Sequence, residues 1–155
     1  MERYFLYIDG AARGNPGPAG VGIVISDAKG RVIETISKYI GENTNNVAEY
    51  TALVFGMDQL RKIDAKDIVI NTDSELLAKQ LGGEYKVKSP ALKSLYDKVT
   101  QMLVSFDEVR INQIGREKNK QADELANQAI DKSFKDKRAG SSFILKSKKS
   151  KDSLF

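Results

Sequence analysis

Apolar and polar positions follow two rhythms along this chain, and each rhythm predicts an element. RYFLYI (3–8) is apolar on both faces, as a strand in the middle of a sheet must be. GVGIVIS (20–26) and VIETISKYI (32–40) follow, separated by Gly-rich and DAKG turns, which predicts an antiparallel meander of three strands. From Asn46, read as a helix cap, to Lys62, the residues Ala52, Leu53, Gly56, Met57 and Leu60 recur at helical spacing. DIVINTD (67–73) reads as a short buried strand and SELLAKQL (74–81) as a helix ended by Gly82-Gly83. SPALKSLYDKVTQMLVSF (89–106) reads as a helix with Pro90 in its first turn, and VRINQI (109–114) as a fifth strand. KNKQADELANQAIDK (118–132) closes the body as a helix with Ala122, Leu125, Ala126, Ala129 and Ile130 on one stripe.

This order, β-β-β-α-β-α-α-β-α, implies that the fourth strand returns parallel to the first through a right-handed helical crossover. The expected architecture is α/β: a mixed five-stranded sheet, three antiparallel strands then two parallel, flanked by helices. Residues 1–132 are expected to form one domain. Residues 133–155, rich in Ser and Lys around a short apolar island, read as a basic linker or tail.

Four acids fall at unusual places in this pattern. Asp9 ends the first strand and Asp73 follows the fourth, so adjacent parallel strands would bring both carboxylates to one carboxyl edge, where open α/β sheets place their sites. Glu49 shares a helical stripe with Ala52, Leu53, Gly56 and Leu60 and therefore points at the sheet, where an acid is costly without a partner. Asp123 lies in the first turn of the last helix, on the side of Ala126 and Ile130. Taken singly, Asp73 reads equally as a turn former or cap, and Asp123 as an acid stabilising a helix N-terminus. Taken together, four acids gathered at one place repel, and a divalent cation is the natural neutraliser.

Composition narrows that cation. The chain has no cysteine and no histidine, which excludes disulfides, thiolate sites and imidazole chemistry, so a metal must be a hard cation held by oxygen. An oxygen-only cluster suits two Mg²⁺ about 3.5–4 Å apart, the arrangement used for phosphodiester hydrolysis, and implies a nucleic-acid or nucleotide phosphate as substrate. The net charge of +4 is uneven: Lys132 to Phe155 carries eight Lys or Arg against two acids, so the remainder is slightly acidic. At 155 residues and 41% hydrophobic the chain fits one domain. No apolar run is long enough to span a bilayer, and MERYFLYIDG lacks a signal-peptide layout, so a soluble, cytoplasmic monomer without membrane contact is expected.

Glycines 10, 14, 17, 20 and 22 invite a phosphate-loop reading, but the segment lacks the Lys-Ser/Thr ending and leads into a strand instead of a helix. They are expected to form a tight connection, stiffened by Pro16 and Pro18, that lets a nucleic-acid backbone come close.

YIDGAARGNPGPAG, TNNVAEYTAL, INTDSELLAKQL and REKNKQADELAN, in that order, resemble the type 1 ribonuclease H family over nearly all of Arg3 to Lys132. The resemblance implies endonucleolytic cleavage of the RNA strand of RNA/DNA hybrids with Mg²⁺ or Mn²⁺, leaving 3′-hydroxyl and 5′-phosphate ends. It assigns Asp9, Glu49, Asp73 and Asp123 to the catalytic, metal-binding set. Asp9 would bridge two ions, Asp123 would complete the nucleophile-side ion, and Glu49 with Asp73 would hold the leaving-group ion. It also assigns Gly10, Asn15, Thr44, Asn45, Asn46 and Asn119 to substrate binding, through contacts to backbone, bases and a DNA phosphate. Such contacts read sugar and phosphate, so cleavage is expected to tolerate sequence.

The chain departs from bacterial members in two respects. Arg116 stands in IGREKNKQAD where they commonly carry a histidine, as in an archaeal-type branch, and is expected to assist electrostatically, since arginine cannot act as a base. GGEYKVKSPAL leaves no room for an extra basic helix, so Tyr85, Lys86 and Lys88, with the basic tail, are expected to grip the hybrid. The pattern leaves open cleavage of double-stranded RNA, and equally a catalytically silent binder of hybrid or duplex RNA. The terminal KDSLF resembles peptides that dock on bacterial sliding clamps through a Leu-Phe end, here Leu154-Phe155.

Overall fold

The structure is a computed structural model that describes residues 2–151, with side chains through Lys137. β1 (Arg3–Ala12), β2 (Gly17–Ser26), β3 (Val32–Asn43), β4 (Asp67–Thr72) and β5 (Glu108–Gln113) form one sheet in the order β3-β2-β1-β4-β5. β1 runs antiparallel to β2 and parallel to β4, and β4 is parallel to β5, as the crossover argument requires. α1 (Asn45–Lys62), α2 (Glu75–Leu81) and α3 (Pro90–Leu103) cover one face. There Leu6, Ile8, Ile23, Ile25, Leu53, Met57, Leu60, Ile68 and Ile70 make a continuous core. α4 (Lys120–Lys151) crosses the other face over β1, β2 and β3. No helix among the described residues is long and apolar enough to cross a membrane.

Four local expectations change. The cap of α1 is Thr44, not Asn46: Thr44 is extended and its hydroxyl accepts from Val47 N–H at 3.2 Å, while Asn46 is exposed within the helix. β1 does not end at Asp9. Its ladder with β4 stops at Ile8↔Thr72, but its ladder with β2 continues through Asp9↔Gly22 to Ala12↔Ala19, so the acid projects from mid-strand where one neighbour has just left.

Gly14 and Gly17 form the tight connection, but Gly10, Gly20 and Gly22 seat helices. A Cβ on Gly22 would lie 1.9 Å from Ala122 O, and one on Gly20 would lie 2.4 Å from Ala126 O, so α4 sits directly on the β2 backbone. Gly10 does the same for α1, with a Cβ 2.3 Å from the backbone of Ala48 and Glu49.

The last helix does not stop at Lys132. Arg13 pairs with Asp131 at 2.7 Å and lies over the Phe134 ring at 5.9 Å, and Lys137 lies over Tyr39 at 5.7 Å. Contacts to Arg13 and Tyr39 therefore hold the first residues, Phe134 and Lys137, of the segment that composition reads as a linker. Leu154 and Phe155 lie outside the described residues.

Candidate functional site

The site is assembled at the point where β1 and β4 part. β1 delivers Asp9 and the end of β4 delivers Asp73, while the close approach at Gly10 brings Glu49 in from α1. The Gly10 N–H donates to Glu49 Oε1, tying helix to strand at the acid itself. One carboxylate oxygen each from Asp9, Glu49 and Asp73 lies within 4.8 Å of the others. Asp123, in the first turn of α4, lines the same opening beside Asp9. The contact of α4 with Gly20 and Gly22 sets how near it comes.

Asp9 is 6% exposed and Glu49 is 4% exposed, and that burial shapes their protonation. Burial, then the Glu49 charge, the hydrogen bond with Asp123 and the charges of Asp73 and Asp123 push Asp9 well above the ordinary carboxylate range. Burial also raises Glu49, with Asp73 adding to the rise, while the Gly10 N–H and hydrogen bonds from Asp9 and Ser74 favour its ionised form. No Lys or Arg among the described residues forms an ion pair with any of the four acids. An all-oxygen donor set, half of it buried and none of it paired with a cation among the described residues, fits a hard divalent cation.

The four acids line an open, polar cavity of about 490 Å³ together with Gly10, Asn45, Ser74, Arg116 and Asn127. Asn45, expected at a DNA phosphate, and Arg116, expected to assist electrostatically, both line this cavity. Asn15 does not reach the cavity lining; its Oδ1 accepts the Asn45 N–H at 3.0 Å and joins the hairpin to the start of α1. Thr44 is occupied as the helix cap. Tyr85, Lys86 and Lys88 are exposed on the connector between α2 and α3, outside the cavity.

Asn119 differs most from its expected role as a substrate contact. It is 2% exposed, and its Nδ2 donates to Ile8 O at 2.8 Å and to Asp73 Oδ2 at 3.2 Å. It holds Asp73 against β1 at Ile8, where the ladder with β4 stops, instead of facing solvent.

Sequence reasoning missed Ser74 and Asn127. Ser74 caps α2 by accepting from Leu77 N–H at 3.1 Å, and Asn127 Nδ2 donates to Asp123 O at 3.1 Å. Signals existed for both: a serine opening a helix just after Asp73, and an amide four residues beyond Asp123 on the same helical face.

A family model described as reverse transcriptase-like matches residues 7–129. Ribonuclease HI of Halobacterium salinarum is 39% identical over 129 residues, covering 83% of this chain and 65% of that protein. Ribonuclease H of Coxiella burnetii is 30% identical over 146 residues, covering 84% of this chain and 92% of that protein. Among solved structures, LC11-RNase H1 in complex with RNA/DNA hybrid superposes with a TM-score of 0.81 at 45% identity, covering 84% of this chain and 99% of that one. The chain thus spans 65% of the length of the Halobacterium relative.

Proposed function

Because this chain belongs to the type 1 ribonuclease H family, we propose that it is a metal-dependent endoribonuclease that hydrolyses the RNA strand of RNA/DNA hybrids. The observation that carries the reading is the convergence of Asp9, Glu49 and Asp73 within 4.8 Å, the first two buried and none with a counter-ion among the described residues, beside Asp123 on an open cavity. The relative solved with RNA/DNA hybrid bound supports the substrate class.

Asp9, Glu49, Asp73 and Asp123 would hold two divalent cations, Mg²⁺ or Mn²⁺. When bound, the cations supply activation of the attacking water and stabilisation of the leaving oxygen. The chain's own work is to keep four acids in place and ready to ionise. Gly10 N–H and Ser74 favour ionised Glu49, Asn119 fixes Asp73, and Asn127 braces the first turn of α4 that carries Asp123. Asn45 and Arg116 on the rim offer donors to phosphate and sugar oxygens, which carry no base identity, so cleavage is sequence-tolerant.

The test is cleavage of labelled RNA/DNA hybrid, RNA duplex and DNA duplex side by side, with Mg²⁺, Mn²⁺ or chelator. Hybrid cleavage confined to the RNA strand, dependent on metal and leaving 3′-hydroxyl and 5′-phosphate ends, is expected. Binding of hybrid without cleavage in either metal would replace the enzyme with a silent binder, and cleavage of the RNA duplex would widen the substrate class.

A further inference from the structure

The four acids leave one buried polar bridge unused. Tyr50, 1% exposed, donates from its hydroxyl to Gln80 Oε1 at 2.6 Å. Gln80, 4% exposed, then donates from Nε2 to Lys86 O at 3.2 Å. We propose that Gln80, oriented by Tyr50, is a positioning residue that fixes the connector 82–89 relative to the acidic cluster, so that Lys86 and Lys88 meet the backbone of the bound hybrid. The proposal rests on the hybrid-cleaving reading above.

The geometry makes α1 the common anchor. α2 has seven residues, too few to be stable alone, so its place is set by Leu77 in the core and by what grips its ends. At its start, Ser74 lines the acidic cavity beside Glu49; at its end, Gln80 bonds Tyr50. Glu49 and Tyr50 are consecutive in α1, so one helical turn ties both a site acid and the connector to the same rigid element.

Beyond Gln80 the chain stays pinned. Glu84 and Tyr85 N–H donate to Lys79 O at 2.8 and 3.1 Å, the Tyr85 hydroxyl donates to Glu75 Oε1 at 3.2 Å, and the Tyr85 ring lies 5.2 Å from Lys79 Nζ. A glutamine needed only to fill the core could be leucine, since an apolar pair of similar shape costs little. The distinctive act of Gln80 is to reach from the core to a main-chain carbonyl of the connector. Lys86 and Lys88 are both exposed there, on a body that is net acidic without its C-terminal segment.

The experiment compares Gln80→Leu and Tyr50→Phe with the parent chain, measuring kcat, KM and hybrid Kd by fluorescence anisotropy without metal. It repeats Gln80→Leu in a Lys86→Ala/Lys88→Ala background. Losing the bridge raises KM and Kd about fivefold, the equivalent of one hydrogen bond, while kcat stays within about twofold. Tyr50→Phe gives a smaller rise in the same direction and keeps the core filled should Gln80→Leu fail to fold.

In the lysine-free background the Gln80→Leu effect vanishes, because the residue acts through those cations. A fall in kcat with unchanged KM, or a Gln80→Leu penalty of equal size in both backgrounds, overturns the proposal. If the parent binds hybrid without cutting it, the enzymatic reading fails while the Kd comparison still decides the role of Gln80.

Discussion

β1 and β4 carry buried acids at both ends, and the two ends treat them in opposite ways. At the start of β4, Asp67 is 7% exposed and is met by Arg3, its partner across the parallel ladder, at 3.2 Å and by Arg110 of β5 at 3.3 Å. At the far end Asp9, Glu49 and Asp73 gather with no guanidinium or ammonium in ion-pair contact among the described residues. Both ends pay the desolvation of carboxylates. At one end neighbouring strands supply the counter-charge; at the other the charge is met by retained protons in the metal-free fold and, on the function proposed above, by a divalent cation. A buried acid is therefore informative in proportion to what the fold withholds from it.

Matched amide substitutions should pull the two ends apart. Asp9→Asn removes a proposed metal ligand and is expected to lower hybrid cleavage on the order of 10³-fold or more, several kcal/mol of transition-state stabilisation. The same change relieves repulsion, so the metal-free Asp9→Asn protein should melt higher than its parent, by about 2–4 °C for each kcal/mol relieved. Asp67→Asn should do the reverse: leave turnover within about twofold and lower stability by about 1–2 kcal/mol, modest because both arginines are half exposed. Calorimetry with and without Mg²⁺, beside a cleavage assay, measures all four outcomes; a metal-free Asp9→Asn protein that melts lower would show that the cluster is not strained.

The contrast also sets a pH dependence. Asp9 and Glu49 have raised carboxyl pKa values in the metal-free fold, chiefly through burial, so above about pH 4, the ordinary carboxylate value, the folded state holds protons that the unfolded chain has released. Stability of the metal-free protein should therefore fall as pH rises from about 4 through neutrality, by up to about 1.4 kcal/mol per pH unit for each proton retained. Asp27 and Asp58 have the opposite sign: backbone N–H of Arg31 and the Arg61 side chain, respectively, hold them low, so their contributions are complete above the unfolded carboxylate value and leave the higher range to the site. Saturating Mg²⁺ binds the ionised form and should flatten the slope, with affinity that strengthens as pH rises. Thermal melts from pH 4.5 to 8 with chelator or Mg²⁺ test this; a metal-free protein whose stability climbs over that range would reverse the sign.

The functional end was legible because two periodicities converge on it. Helical spacing turns Glu49 inward with Leu53 and Leu60, and the parallel return of β4 puts Asp73 beside the end of β1. What stayed hidden depends on contacts between distant residues. Nothing periodic distinguishes Asn119 as a strut, since a single 3-10 turn, Arg116–Lys118, carries it under the edge of β1 and β4. The glycines of β1 and β2 look alike whether they admit a ligand or a helix; only the seats of Ala48 and Ala122 decide. α4 passes Lys132 because Arg13, from the first hairpin, bridges Asp131 and Phe134, a contact no local composition reveals.

Arg116 carries the comparison to its finest point. Arg3 and Arg110 are bound to the acid they face, whereas Arg116 lines the acidic cavity exposed and without an ion pair to it among the described residues. A cation left uncommitted beside four acids can attract a substrate or product phosphate without neutralising the metal ligands. Arg116→Ala should therefore lower turnover only about three- to tenfold, roughly 1 kcal/mol. The deficit should shrink as salt rises, because an exposed charge is screened. Arg116→Lys should recover much of the loss, since charge and not bidentate geometry does the work. Turnover unchanged in Arg116→Ala at low salt would place this arginine with the solvated surface, and the asymmetry between the two ends would rest on the acids alone.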